Sequence, residues 1–191
     1  MGSFCILVLI LLLYIVVRNN QEKSELVRSA QTDALTGVYN KENTQKVIDA
    51  ILREKDPKGF HGFLILDMDH FKEVNDVYGH VMGDNVLKML GSFLKEQFRE
   101  QDVIGRIGGD EFVILLCNIG SRENMESRIK NLHEKLREIH MEGMEEYTFS
   151  FSAGIAFAPQ DGDTFMELYQ KADLALYQVK RSGRNGYRIY K

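Results

Sequence analysis

Two cysteines are all that this chain of 191 residues carries, and they sit in unlike settings, Cys5 in an apolar run and Cys117 in an expected core strand. That excludes a disulfide framework and a cysteine-based metal pair, and it fits a reducing cytosolic compartment. An excess of positive charge is also missing, since 24 Lys and Arg against 28 Asp and Glu leave a formal net charge of -4. Nucleic acid is therefore not an expected partner, because its wholesale electrostatic binding needs dense cations to displace counterions from phosphates. Any phosphate chemistry must rest on local cations. No internal repeat or low-complexity tract interrupts the chain. Its length, with 44% hydrophobic and 27% charged residues, suits one catalytic-sized globular domain and a short appendage.

An uncharged apolar run of full membrane-spanning length is lacking too. Phe4 to Val17, closed by Arg18, contains no charge, but about 14 residues at roughly 1.5 Å each reach only about 21 Å into a hydrocarbon layer near 30 Å. A signal peptide is disfavoured because no basic residue precedes the run and no small-residue cleavage site comes after it. Ile6 stands where a myristoylation signal needs Ser or Thr. A buried core helix is the third reading. The favoured expectation is a short or truncated membrane anchor over residues 1–18, forming an N-terminal apolar helix. Arg18, Lys23 and Arg28 then place the rest of the chain on the cytoplasmic side of the inner membrane. Residues 19–31 are polar, charged and free of Pro and Gly, which suits a helical connector.

Beyond the connector, strand-like and helix-like periods alternate, as in a mixed α/β domain. Phe63 to Asp67 is a buried strand candidate ending in carboxylates. Val86, Leu87, Leu90, Phe93, Leu94 and Phe98 recur at helical spacing, as do Met125, Ile129, Leu132, Leu136 and Ile139. Val103–Ile107 and Phe112–Cys117 read as a hairpin with Gly108, Gly109, Asp110 and Glu111 at its tip. Phe149, Phe151, Ala153, Ile155 and Phe157 form one face of another strand. A last helix opens at Thr164 with Glu167 in a capping-box pattern and ends near Gly183.

Asp67 and Asp69, two apart at a strand end, could make one acidic edge, to which the hairpin adds Asp110 and Glu111. Carboxylates so gathered repel unless a cation neutralises them, and hard oxygen donors without His or Cys suit Mg²⁺ or Mn²⁺. Two such ions holding a nucleoside triphosphate is the natural chemistry of the cluster. The plainer reading makes them solvated termini.

The residues around the cluster resemble a known family. Gly108-Gly109-Asp110-Glu111-Phe112 is the signature of GGDEF domains, and Asp67 to Asp76, with Gly79-His80 and Gly83-Asp84 after it, is similar to their second motif. Asp33 to Asn40 resembles the opening motif, departing at Val38 and Lys41, where Leu and Arg are usual. Ala172 to Tyr177 with Lys180 and Gly183-Arg184-Asn185 resembles the closing motif. The ordered set covers residues 32–191 and identifies the chain as a member of the GGDEF family of diguanylate cyclases.

The resemblance implies a palm-like fold of the nucleotidyl cyclase type, with an antiparallel central sheet flanked by helices. It implies that two GTP molecules are condensed into cyclic di-GMP and pyrophosphate by a homodimer holding one GTP in each protomer. The alternative is an inactive module that binds GTP or cyclic di-GMP as a regulatory receptor. By the same resemblance, Asp67, the Met68 carbonyl and Asp110 hold metal, Glu111 is either a further metal ligand or the base that helps deprotonate the attacking 3′-hydroxyl, and Glu111, Asp110 and Lys72 form the catalytic set. Asn75 and Asp84 read guanine, whose N1-H and N2-H suit a carboxylate acceptor. An N-cap on a helix beginning near Val86 is the alternative for Asp84. Lys72, Lys180 and Arg184 bind phosphates, and His70, Phe71 and His80 join the substrate set. Asp69 either joins the site or orients its neighbours. Arg99 and Asp102 match an RxxD site at which the product inhibits. His61, His133 and His140 are expected to be plain surface residues.

Overall fold

The computed structural model describes residues 14–18, 31–54 and 59–191. The expected apolar anchor and the connector lie largely outside them. Residues 14–18 are helical, and among the described residues no helix is long and apolar enough to cross a membrane.

The chain runs α1 (Lys41–Arg53), β1 (His61–Met68), α2 (Phe71–Tyr78), α3 (His80–Gln97), β2 (Val103–Gly108), β3 (Glu111–Leu116), α4 (Arg122–Arg137), β4 (Phe151–Ala158), α5 (Phe165–Arg181) and β5 (Gly186–Ile189). The strands form one sheet in the order β2-β3-β1-β4-β5. β1 lies at its centre, antiparallel to both β3 and β4. The expected antiparallel central sheet is found in β2, β3, β1 and β4, and is corrected to a mixed sheet at one edge, where β5 runs parallel to β4. Parallel neighbours need a crossover, and α5 supplies it by carrying the chain back across the sheet.

Both faces of the sheet are buried, which the period of two along each strand makes possible. Leu64, Leu66 and Met68 of β1 join Phe112, Ile114, Phe151 and Ile155 in a core closed by Val86, Leu90 and Leu94 of α3 and Met125, Ile129 and Leu132 of α4. Phe63 and Ile65 join Val113, Leu115 and Ala156 in a second core under Ile48 of α1 and Leu168, Ala172 and Leu176 of α5. Thr164 caps α5, with the Glu167 amide donating to Thr164 Oγ1 at 3.3 Å, and the Glu167 carboxylate reaches back to accept from the Asp163 amide, one residue before the cap, at 3.1 Å.

Three sequence expectations change. α3 begins at His80, six residues before Val86, so Asp84 sits inside the helix and cannot be its N-cap. His61 opens the buried strand β1 and is itself buried. His133 is half-buried, its ring stacked on Phe151 with centroids 3.7 Å apart, and burial, with Arg137 second, pulls its pKa down to about 4.

Candidate active site

The hairpin is tighter than its sequence suggests. Gly108 pairs with Glu111, leaving a turn of Gly109 and Asp110, and an irregularity between Arg106 and Gly108 accommodates Ile107. Gly109 has φ of 50°, a left-handed conformation that glycine adopts without a Cβ penalty, whereas Gly108 lies outside that region. Arg106 fixes the turn by donating from Nε to the Gly109 carbonyl at 2.8 Å. Its Nη1 also reaches Asp33 Oδ1 at 3.1 Å. Burial alone would raise the Asp33 carboxyl, but hydrogen bonds from Thr36 and the Arg106 guanidinium outweigh it and hold the pKa below the usual value. The opening motif is thereby tied to the hairpin tip.

The sheet register then places the carboxylates. Asp67, the penultimate residue of β1, is the cross-strand partner of Glu111. Asp110 stands next in the turn, and its pKa is raised first by burial and then by the charge of Asp67. Lys180 of α5 meets this edge with Nζ 2.8 Å from Asp67 Oδ2. Tyr169, also on α5, donates its hydroxyl to Glu111 Oε1 at 2.7 Å. Burial first, then that hydrogen bond and the charge of Glu111, push the Tyr169 hydroxyl well above its ordinary pKa.

Asp69 leaves the acidic edge. It is 3% exposed, and its carboxylate accepts from Ser150 Oγ at 2.8 Å, Ser152 Oγ at 2.6 Å and the Asn185 amide at 2.9 Å. It therefore orients its neighbours. One of them is the turn carrying Arg184, where φ is 61° at Arg184 and 48° at Asn185.

The guanine-reading candidates lie on the helical pair. Asn75 of α2 packs against Gly83 of α3, where a Cβ would collide with the Asn75 side-chain oxygen. Asp84 comes directly after Gly83 and is exposed. Lys72 and His80 are exposed on the same pair, and Phe71 is half-buried. His70 precedes α2 with φ of 60° and has Nδ1 2.7 Å from Glu73 Oε1.

The RxxD residues divide their work. Arg99 is exposed beside a cleft of about 460 Å³ lined also by Tyr39, Lys95, Phe98 and Asp102. Asp102 is buried and accepts from the Cys117 amide at 2.9 Å and the Arg99 amide at 3.0 Å. Arg128 lies 3.7 Å from the same carboxylate. Burial and Asp102 push the Cys117 thiol up to about 11, as suits a core thiol.

Among the described residues no group of three or more His, Cys, Asp or Glu is gathered as a metal-binding set. The donors at the edge nevertheless suit a hard cation. Burial first and then the charge of Asp67 raise the Asp110 pKa, and an added cation would favour the ionised carboxylate there.

Sequence reasoning missed Tyr169, Arg106 and the donors around Asp69. Each acts across strands or between elements far apart in the chain, where spacing carries no signal.

A mixed five-stranded sheet flanked by helices, with carboxylates on its central strand and the neighbouring hairpin, defines an α/β domain. The family model described as "Diguanylate cyclase, GGDEF domain" matches residues 30–186, and the chain belongs to that family. Diguanylate cyclase DgcS of Shewanella oneidensis is 36% identical over 173 residues, covering 90% of this chain and 56% of that protein. Diguanylate cyclase TpbB of Pseudomonas aeruginosa is 32% identical over 174 residues, covering 90% of this chain and 40% of that protein. The chain thus spans about half the length of these relatives. The solved GGDEF domain of TpbB superposes with a TM-score of 0.77 at 32% identity, covering 84% of this chain and 94% of that one. The GGDEF domain of DgcB from Caulobacter crescentus in complex with c-di-GMP gives 0.73 at 26% identity, covering 84% and 95%.

Proposed function

We propose that this domain is an active diguanylate cyclase that joins two GTP molecules into cyclic di-GMP and works as a homodimer. The observation that carries the reading is the cross-strand pairing of Asp67 with Glu111, with Asp110 in the adjoining turn and Lys180 on Asp67. In each bond-forming step the 3′-hydroxyl oxygen of one GTP attacks the α-phosphorus of the other. The bond to pyrophosphate breaks as the new phosphodiester forms, and Glu111 takes the hydroxyl proton. Two such steps close the ring and release two pyrophosphates.

Mg²⁺ or Mn²⁺ held by Asp67, the Met68 carbonyl, Asp110 and Glu111 would neutralise the triphosphate. The chain's own part is positioning. Asp84 accepts from the guanine N1-H and N2-H while the Asn75 amide serves its acceptors. Lys72, Lys180 and Arg184 hold phosphate oxygens, with His70, Phe71 and His80 around them. Cyclic di-GMP inhibits through Arg99, which Asp102 holds by its amide. Attachment to the inner membrane through residues 1–18, with this domain in the cytoplasm, belongs to the same proposal and rests on the sequence.

The test is incubation of purified protein with GTP and Mg²⁺, with chromatography of the nucleotide product and assay of pyrophosphate. Cyclic di-GMP with pyrophosphate is the expected result. Binding of GTP or cyclic di-GMP without either product would instead assign the domain as a receptor.

A further inference from the structure

Tyr169 is a feature of this site that no motif supplied. Its hydroxyl, 2.7 Å from Glu111 Oε1, makes the one hydrogen bond of the Glu111 side chain among the described residues. The ring is not free to move with the carboxylate. It stacks on Phe165 with centroids 5.7 Å apart and an interplanar angle of 24°. Phe165 in turn meets Phe63 of β1 edge-on at 5.5 Å. Phe63 is fully buried, four residues before Asp67 on the same strand. The donor is thus braced by a row of aromatic rings anchored to the strand that carries Asp67.

A glutamate at the end of a hairpin strand has several rotatable bonds, and ordering such a chain costs rotamer entropy. A donor fixed in advance removes part of that cost from the reaction, and its bond is strengthened by the charge of the acceptor. We propose that Tyr169 is a positioning residue that holds the Glu111 carboxylate in its working orientation, a role that rests on the cyclase reading above. The lysine on the same helix does the corresponding work for Asp67, so α5 braces both members of the cross-strand pair.

The substitution that tests this is Tyr169→Phe, which removes one oxygen and leaves the stacked ring. Two readouts are needed, both on protein whose thermal melt matches the parent. In the assay with GTP, kcat should fall about tenfold while KM stays within about twofold, the pattern of a lost transition-state interaction. Separately, Mn²⁺ binding in the presence of a GTP analogue blocked at the α,β bridge, read by electron paramagnetic resonance, should weaken about tenfold, since a wandering carboxylate is a poorer ligand. Unchanged kcat and unchanged Mn²⁺ affinity would overturn the inference, and so would tighter Mn²⁺ binding, which would make the hydroxyl a restraint that draws Glu111 away. A parent that makes no cyclic di-GMP overturns the cyclase reading instead, and the Mn²⁺ measurement then decides the role of Tyr169 alone.

Discussion

Asp69 accepts from two serine hydroxyls and one backbone amide in a buried setting. Asn in its place would offer one oxygen and turn an NH₂ toward donors. Asp69→Asn should therefore destabilise the fold by about 2–4 kcal/mol, read as a lower denaturation midpoint at unchanged slope. Asp110 has the opposite balance. Burial and Asp67 disfavour its charge, and a carboxyl whose folded pKa is raised costs stability as pH climbs through its ordinary value. Asp110→Asn should abolish turnover and yet raise the melting temperature at pH 7. The gain should vanish below about pH 3, where the parent carboxyl is protonated in both states. Equal melting temperatures at pH 7 would mean that burial and Asp67 together do not disfavour the Asp110 charge. Both carboxylates were legible as candidates, but only burial and register separate them, because the chain turns inward after Met68.

At the scale of elements, backbone bonds between Tyr39 and residues Ile104 and Arg106 join the hairpin to the start of the domain, and one side chain carries that tie to the tip. Arg106 bonds Asp33 of the opening motif and the Gly109 carbonyl together. Arg106→Ala should loosen the turn that carries Asp110, lowering kcat about tenfold while the core strands keep their hydrogen-exchange protection. Since the Asp33 pKa is lowered, the stability from this tie is full above the ordinary carboxylate value and is lost as pH falls through the lowered one. The gap in stability between parent and variant should close in that acid range. A gap that persists there would assign the effect to packing of the Arg106 stem. The helices were legible from their apolar spacing and the Thr164 cap, and the hairpin from its glycines. The parallel edge strand was not, because Gly186–Ile189 is a short segment whose partner is chosen by where α5 delivers it. The bond from Tyr169 to Glu111 was illegible for a like reason, since it joins residues 58 apart.

At the scale of the whole molecule, the acidic edge, Lys180 and the guanine-reading candidates belong to one domain, and the proposed chemistry needs two substrates facing one another. Each domain is proposed to hold one GTP, so turnover must depend on the encounter of two protomers. In a fragment starting near Thr32, specific activity should rise with enzyme concentration until the dimer is saturated, as mass action requires. Fusion to a dimeric coiled coil raises the effective concentration of the second domain and should remove much of that rise. Confinement to a membrane by residues 1–18 would act in the same direction, with residues 19–31 setting how the two acidic edges face. Initial rates at saturating GTP and Mg²⁺, measured over a wide range of fragment concentration beside the fused version, give the comparison. A specific activity that stays flat down to concentrations at which sedimentation shows only monomer would place both GTP molecules on one chain, and the arrangement of one nucleotide per domain would have to be abandoned.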